Sequence, residues 1–396
     1  TLIKNCKRLL PGYRIILKND SVINFNHYYK LVEHRKNNYN ISFKKSINLL
    51  EKKLKKSIKY RLISDAPLGI ALSGGLDSSI ITAFASQRLK DNPNTFSITF
   101  NKNEMDESRY SDYIAEKYKT SHHKIILTKK KFFELLPKCV WFNDEPLNHP
   151  NSIGIYLLSK YASKYVKVLL GGEGADEIFS GYNFYKKKSF YHLKNRMVRV
   201  RDVYKLTGFS NYQNEFKKKL ILNKTFSSKL NREIYFNIYT YLQTIQNRAD
   251  KMSMANSIEM RMPYLDKSVV EMALKIPDNF KLLKHKETKY ILKQLAAKYF
   301  PIDFIKRPKI GFSIPINEWL RDKRSSPRII KMLLEDRTLD RPYLDSDGLR
   351  LLVRKFKSGQ DSFNFSIAGR IWILLSLELW ARTFIDDMAE YNFSFN

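Results

Sequence analysis

Cysteine is scarce in this chain: only Cys6 and Cys139 occur in 396 residues, and neither belongs to a C-x-x-C spacing. That excludes a disulfide framework and a thiolate metal or dithiol redox site, and a reducing, cytoplasmic compartment is expected. Long apolar runs are lacking too. The most apolar late stretch, residues 371–379, is interrupted by Glu378 and is far too short to span a bilayer, and residues 1–10 carry no signal-peptide hydrophobic region, so no membrane association is expected. Acidic residues are few beside basic ones, 39 Asp plus Glu against 71 Lys plus Arg, a formal net charge of +32. Such an excess makes a polyanion such as nucleic acid a candidate partner. Lysine is, however, spread along the whole chain with abundant Asn, Ile, Tyr and Phe, as AT-rich coding would produce, so the charge reads as composition and nucleic acid is disfavoured. Both common nucleotide-loop spacings, G-x-x-x-x-G-K-[ST] and G-x-G-x-x-G, are absent. The first residue is Thr and not Met, which fits a fragment or a processed product.

What is present suffices for a large core: 43% hydrophobic and 28% charged residues exclude disorder. Residues 3–29 read as short strand-like runs, 13–17 and 22–25, parted by Pro11-Gly12 and Asn19-Asp20. Such a piece is too small for a domain, and its edges need a partner, so it reads as the tail of a β-rich domain. From Ser42 the period turns helical: Phe43, Ile47, Leu50, Leu54 and Ile58 share one face, and Lys52, Lys53, Lys55, Lys56 and Lys59 form a solvated remainder.

Apolar runs then alternate with helical patterns: strands at 67–72, 95–100, 122–127 and 166–170, helices from Asp77, Asp106 and Lys129 and over 152–163. This alternation predicts an α/β fold with a parallel sheet covered on both faces and ligands at the C-terminal strand ends. Beyond Tyr182 strand signals fade, and a mainly helical layer is expected, with clear patterns at 286–299 and 366–384.

Two strings carry chemistry. Ile70-Ala71-Leu72-Ser73-Gly74-Gly75-Leu76-Asp77-Ser78-Ser79 runs from an apolar strand through a Ser/Gly turn into a helix. Adjacent glycines let backbone approach an anion, and the helix N-terminus supplies N–H groups and partial positive charge, so a polyphosphate fits. The second, Gly171-Gly172-Glu173-Gly174-Ala175-Asp176-Glu177, also follows an apolar run and places carboxylates in an open turn, where they can hold Mg2+ or accept a proton.

The first string resembles the S-G-G-x-D-S pyrophosphate loop of the ATP pyrophosphatase (PP-loop, adenine nucleotide alpha hydrolase-like) superfamily. With the second, the chain is similar to the synthetase domain of the glutamine-dependent asparagine synthetases. Further matching stretches are Phe96-Ser97-Ile98-Thr99-Phe100 with Asp106-Glu107, then Asp144-Glu145-Pro146, residues 248–266 from Arg248-Ala249-Asp250 to Leu265-Asp266, Lys306-Arg307-Pro308-Lys309-Ile310-Gly311-Phe312 with Trp319-Leu320, and the late helix 371–380. The likeness covers essentially the whole chain. Residues 1–38 resemble the last strands of the family's N-terminal glutaminase (Ntn-type) domain, and 39–396 its synthetase domain. The family's N-terminal cysteine nucleophile is missing, and neither cysteine here stands in its place.

By this resemblance the cofactors are ATP and Mg2+, with Asp77 and Asp176 as metal carboxylates. Leu72, Ser73, Gly74, Gly75, Asp77, Ser78, Ile98 and Gly172 are implied to bind ATP or its pyrophosphate. Thr99 departs from the glycine often found in that strand. Lys309 matches the family's loop lysine, facing charge that builds on the α-phosphate, and Glu173 the base that takes a proton from ammonium. Asp250, Glu107 and Asp144 are expected on the acceptor side, and Arg261 is read as structural. The activity implied is ATP-dependent amide formation. A carboxylate, aspartate by default, is adenylated and then attacked by ammonia, taken from glutamine or from solution. Relatives acting on uronic acids or peptide carboxylates, a tRNA-modifying PP-loop ligase and a non-catalytic remnant are the competing readings. A separate or missing glutaminase domain and a homodimer are compatible partners.

Overall fold

The computed structural model describes residues 3, 5–31, 41–89, 91–100, 108–186, 203, 226–308, 314–359 and 367–386. The chain opens with an antiparallel hairpin, β1 (Tyr13–Lys18) and β2 (Ser21–His27). Its turn residues Asn19 and Asp20 both have positive φ, 48° and 59°, the conformation a tight hairpin demands and one these two residue types tolerate. Leu17, Val22, Ile23 and Phe25 lie exposed along it.

Helix α1 (Phe43–Arg61) begins where Ser42 caps the Lys45 amide, and it buries Leu50, Leu54 and Ile58, as their spacing predicts. After it the strand and helix alternation unfolds: β3 (Leu68–Ala71), α2 (Leu76–Ser86), β4 (Asn94–Thr99), α3 (Ser108–Lys117), β5 (Ser121–Ile126), α4 (Lys129–Asn143), α5 (Ser152–Ala162), β6 (Val168–Leu170) and the single turn α6 (Ala175–Ile178). Two helices, α7 (Lys229–Tyr239) and α8 (Tyr241–Met254), lead to β7 (Glu259–Arg261).

Among the described residues these five later strands form one parallel sheet in the order β5-β4-β3-β6-β7. The chain therefore builds outward from β3 to β5, then returns to lay β6 on the other side of β3. The reversal makes a crevice between the C-terminal ends of β3 and β6, the place where open α/β sheets bind ligands. Both faces are covered. Leu170 packs with Ile70, Leu72 and helices α1 and α2, whereas its neighbour Leu169 packs with Phe96, Ile125 and Leu158 of α5. Successive residues of a strand point to opposite faces, so only a continuously apolar strand such as Val168–Leu170 can serve both layers.

Strand β7 lies within the mainly helical second half, at a place where the sequence gives no strand signal. Its sequence, Glu-Met-Arg, is too short and too polar to signal a strand, but its backbone pairs with β6 in register, Leu169 opposite Met260. Tertiary pairing, not side-chain pattern, makes it a strand.

Helix α9 (Lys267–Lys275) and the turn α10 (Asp278–Lys281) lead to a two-stranded ribbon, β8 (Leu282–Leu283) and β9 (Glu287–Thr288). There follow α11 (Tyr290–Ala296) and α12 (Ile302–Lys306), and then the helical layer α13 (Ile316–Arg321), α14 (Ser325–Leu334), α15 (Asp336–Leu339), α16 (Ser346–Lys357) and α17 (Ile367–Phe384). Helix α17 is apolar on nearly every side because it is enclosed: Ile371, Trp372, Leu375 and Leu379 pack with Phe132, Leu136 and Trp319. Among the described residues no helix is long and apolar enough to cross a membrane. Neither cysteine is in a disulfide, and Cys139 lies buried in α4.

Candidate active site

The first string leaves β3 and turns at once. Leu72 is wholly buried, and its amide donates to the Phe96 carbonyl at 2.8 Å, so the backbone stays tied to β4 up to the turn. Gly74 has φ +78°, and a Cβ there would lie 2.7 Å from the Ser111 amide, so only glycine makes this turn. Hydroxyls fix the loop from inside. Ser73 Oγ accepts the Gly75 amide at 3.2 Å and lies 3.1 Å from Ser78 Oγ, and Ser79 Oγ donates to the Gly75 carbonyl at 2.8 Å. Gly75 caps α2 without any side-chain bond. The N–H groups of the first turn have no partner within the helix, and its dipole adds partial positive charge. This is an anion-binding geometry at the crevice.

The second string leaves β6 beside it. Gly171 donates its amide to the Arg261 carbonyl of β7 at 2.9 Å. A Cβ on Gly172 would come within 3.1 Å of the Ser78 amide and 3.3 Å of Asp77 Cβ, so this glycine sets how closely the two loops approach each other. That contact puts the carboxylates of Asp77 and Asp176 around one cation: Lys289 Nζ lies 2.5 Å from Asp77 Oδ2 and 2.7 Å from Asp176 Oδ1. All three side chains are largely buried. Burial would lower the lysine pKa, but the charges of Asp176 and Asp77 outweigh it and raise the pKa above the ordinary value. Tyr264, fully buried, donates its hydroxyl to the Asp77 carbonyl at 3.1 Å and steadies the first turn of α2 from below. The neighbouring Glu177 is pushed up to about 7 by burial, then by the Asp176 charge.

The Asp77 and Asp176 pair fits a divalent ion by its donor set, because a cationic group already sits between the two carboxylates. Among the described residues no group of three or more His, Cys, Asp or Glu side chains could hold a metal. Two carboxylates are the complement Mg2+ uses when phosphate oxygens and water fill its other positions.

Glu173, at the head of the acidic loop, accepts from Arg248 at 2.7 Å through Oε1, whereas its Oε2 is buried with no hydrogen-bond partner among the described residues. Arg248 also donates to Asn151 Oδ1 at 2.9 Å, so one guanidinium on α8 bridges α5's leading residue and the acidic loop. Arg307 donates to the Gly74 carbonyl and lies over the ring of Tyr110, its carbon 3.8 Å from the ring centre. It thus anchors the start of the Lys306–Phe312 stretch against the phosphate loop.

Other expected residues fall elsewhere. Ile98 is half-buried in β4. Asp250 is exposed on α8, two residues past Arg248 and so on another side of the helix. Asp144 ends α4 with φ 56° and receives Lys251 Nζ at 2.6 Å, while its carbonyl accepts Trp380 Nε1 at 2.9 Å. Arg261 donates to the Arg61 and Ile63 carbonyls at 2.9 and 2.7 Å, bracing the sheet edge. Lys309 and Glu107 lie outside the described residues. Lys289, Arg248, Arg307 and Tyr264 were not assigned site roles from sequence. Nothing separates Lys289 from Lys284, Lys286 and Lys293 around it, whereas Arg248 opens a stretch already matched to the family.

A parallel sheet with a serine and glycine loop and an acidic loop facing each other across its switch point defines an α/β PP-loop synthetase domain. The chain belongs to the asparagine synthase family, whose sequence profile matches residues 49–382. It is 30% identical to asparagine synthetase [glutamine-hydrolyzing] 1 of Bacillus subtilis (strain 168), over 96% of this chain and 66% of that protein. It is 26% identical to asparagine synthetase [glutamine-hydrolyzing] 3 of the same organism, over 90% and 63% respectively. Asparagine synthetase B [glutamine-hydrolyzing] of Escherichia coli (strain K12) is 28% identical, over 67% of this chain and 44% of its own length. The chain thus spans less than two thirds of the lengths of these relatives.

Proposed function

We propose that the chain is an ATP-dependent amide-forming ligase that adenylates a carboxylate, aspartate by default, and transfers ammonia to it, releasing AMP and pyrophosphate. The observation that carries this reading is the meeting of the two loops: phosphate donors, a pair of metal-type carboxylates and Glu173 converge on one crevice.

In this reading Ser73, Gly74, Gly75, Asp77 and Ser78 cradle the β- and γ-phosphates, and Leu72 and Ile98 meet the adenine through their backbones. Because the Leu72 amide serves Phe96, its contact runs through the carbonyl. A Mg2+ held by Asp77 and Asp176 would neutralise charge on the leaving pyrophosphate. The acceptor carboxylate oxygen forms a bond to the α-phosphorus as the bond to pyrophosphate breaks. Lys309 supports the charge gathering there. Glu173, steadied by Arg248, takes the proton from ammonium. The freed lone pair attacks the acyl carbon, and AMP departs with the bonding electrons. Asp144 and Glu107 are assigned to the acceptor side, Asp250 being turned to another side of α8, and residues 1–38 to the end of a glutaminase domain that would supply ammonia from glutamine. A cytoplasmic enzyme fits this substrate set.

The test is pyrophosphate exchange into ATP with a panel of acids that includes aspartate, a uronic acid and a peptide carboxylate, followed by AMP release on adding ammonium. Exchange that depends on one acid and is abolished in Asp77→Ala supports the reading and names the acceptor. Undiminished ATP turnover in Asp77→Ala overturns it.

A further inference from the structure

The buried cluster at the crevice contains a residue for which the proposed chemistry has no role. Lys289 comes from neither loop; it follows the β8–β9 ribbon as the N-cap residue of α11 and reaches both carboxylates. Its backbone is left-handed, φ 53°, a conformation a side-chain-bearing residue adopts only where its surroundings impose it. Room for it is made on the far side by Gly181, where a Cβ would lie 1.9 Å from Asp176 Oδ1 and 2.3 Å from Lys289 Cε. The fold therefore combines a strained backbone with a glycine to seat an ammonium between Asp77 and Asp176.

We propose that Lys289 is the resident counter-cation of this pair, closing it to free divalent metal so that the ion enters only together with the nucleotide's phosphates. The proposal rests on the reading of Asp77 and Asp176 as the metal carboxylates. Two points of chemistry carry it. The ammonium makes 2.5 and 2.7 Å contacts with the oxygens a metal would use, so ion and lysine compete for one seat. And two carboxylates alone are a poor site: Mg2+ takes six oxygens, and among the described residues no third acidic, His or Cys ligand joins them. A free ion would have to displace the lysine for two protein ligands. An ion carried by a polyphosphate brings its own oxygens and offers the displaced ammonium an anion to move to, since a lysine head has three donors on a flexible stem. The consequence is an order of binding, with the pair guarded until nucleotide arrives, and no need for a disordered, self-repelling acidic pair in the metal-free protein.

The test uses Mn2+ as the probe, read by electron paramagnetic resonance on the full chain with and without a non-hydrolysable ATP analogue. Wild type is expected to bind no Mn2+ beyond the level of Asp176→Asn until the analogue is added, and then to bind it. In Lys289→Met the pair is uncovered, and nucleotide-free Mn2+ affinity should rise at least about tenfold, as removal of a competing charge at this range implies. That ion should also raise the variant's melting temperature more than it raises that of wild type. Tight nucleotide-free Mn2+ binding by wild type that is lost in Asp176→Asn overturns the proposal while leaving the metal assignment intact. So does folded Lys289→Met with unchanged nucleotide-free affinity; Lys289→Gln is the substitute should the methionine variant not fold, and the wild-type arm needs neither. Absence of Mn2+ binding in wild type even with the analogue overturns the metal assignment and the proposal together.

Discussion

Arg248 and Glu173, 75 residues apart in sequence, meet at 2.7 Å across the crevice, the guanidinium of α8 holding one oxygen of the carboxylate and leaving the other without a partner among the described residues. In the proposed reaction Glu173 accepts a proton from a small nucleophile, which needs one bare lone pair and a fixed direction, and this pairing is suited to both.

Arg248→Lys keeps a charge but has no fork with which to serve Asn151 and Glu173 at once. Ammonia-dependent AMP formation should fall by roughly ten- to a hundredfold, with pyrophosphate exchange much less affected. Combined with Glu173→Gln, the loss should be far from additive, because the arginine acts through the glutamate. Additive losses in the double variant would detach Arg248 from this role.

Lys281 allows a pH test away from the site. It is fully buried, donates to Asn231 Oδ1 at 2.6 Å and to the Ala273 carbonyl at 3.0 Å, and burial pushes it down to about 8 from an ordinary 10.5, Asp278 offsetting only part of this. Below pH 8 the folded protein carries that charge at a cost. Between the two values the unfolded chain keeps a proton that the folded chain has lost, so rising pH relieves the cost and stabilises the fold through this residue. The stability of wild type relative to Lys281→Met should therefore climb over that window, by at most about 1.4 kcal/mol per pH unit. Urea unfolding at a series of pH values measures it; a flat difference would refute the assignment.

Glu378 of α17 accepts from two arginines, Arg341 at 3.1 Å and Arg382 at 2.7 Å, with its own side chain only 2% exposed. Glu378→Ala removes one partner from each of two buried cations and should cost about 1–3 kcal/mol, seen as a lower urea midpoint. A loss under about 1 kcal/mol would mean that Asp386 and Glu335, which pair with the same arginines, carry the network without it.

The order of strands and helices around the crevice was legible along the chain because its signals are local. Ser73-Gly74-Gly75 follows an apolar run with no more than a turn between, Gly171-Gly172 does the same, and α1 announces itself by the spacing of Leu50, Leu54 and Ile58. Chemistry encoded by neighbours, such as a glycine turn before a helix, survives without knowledge of the fold. What only the tertiary structure decided is which distant groups share a site. Lys289 meets Asp77 across 212 positions, Arg307 reaches Gly74 across 233, and β7 is a strand because β6 lies beside it, not because Glu-Met-Arg favours one. A lysine among many lysines carries no mark of its partner. Its meaning comes from the low-dielectric pocket that the packed sheet and helices build around it, where a single charge must find its opposite.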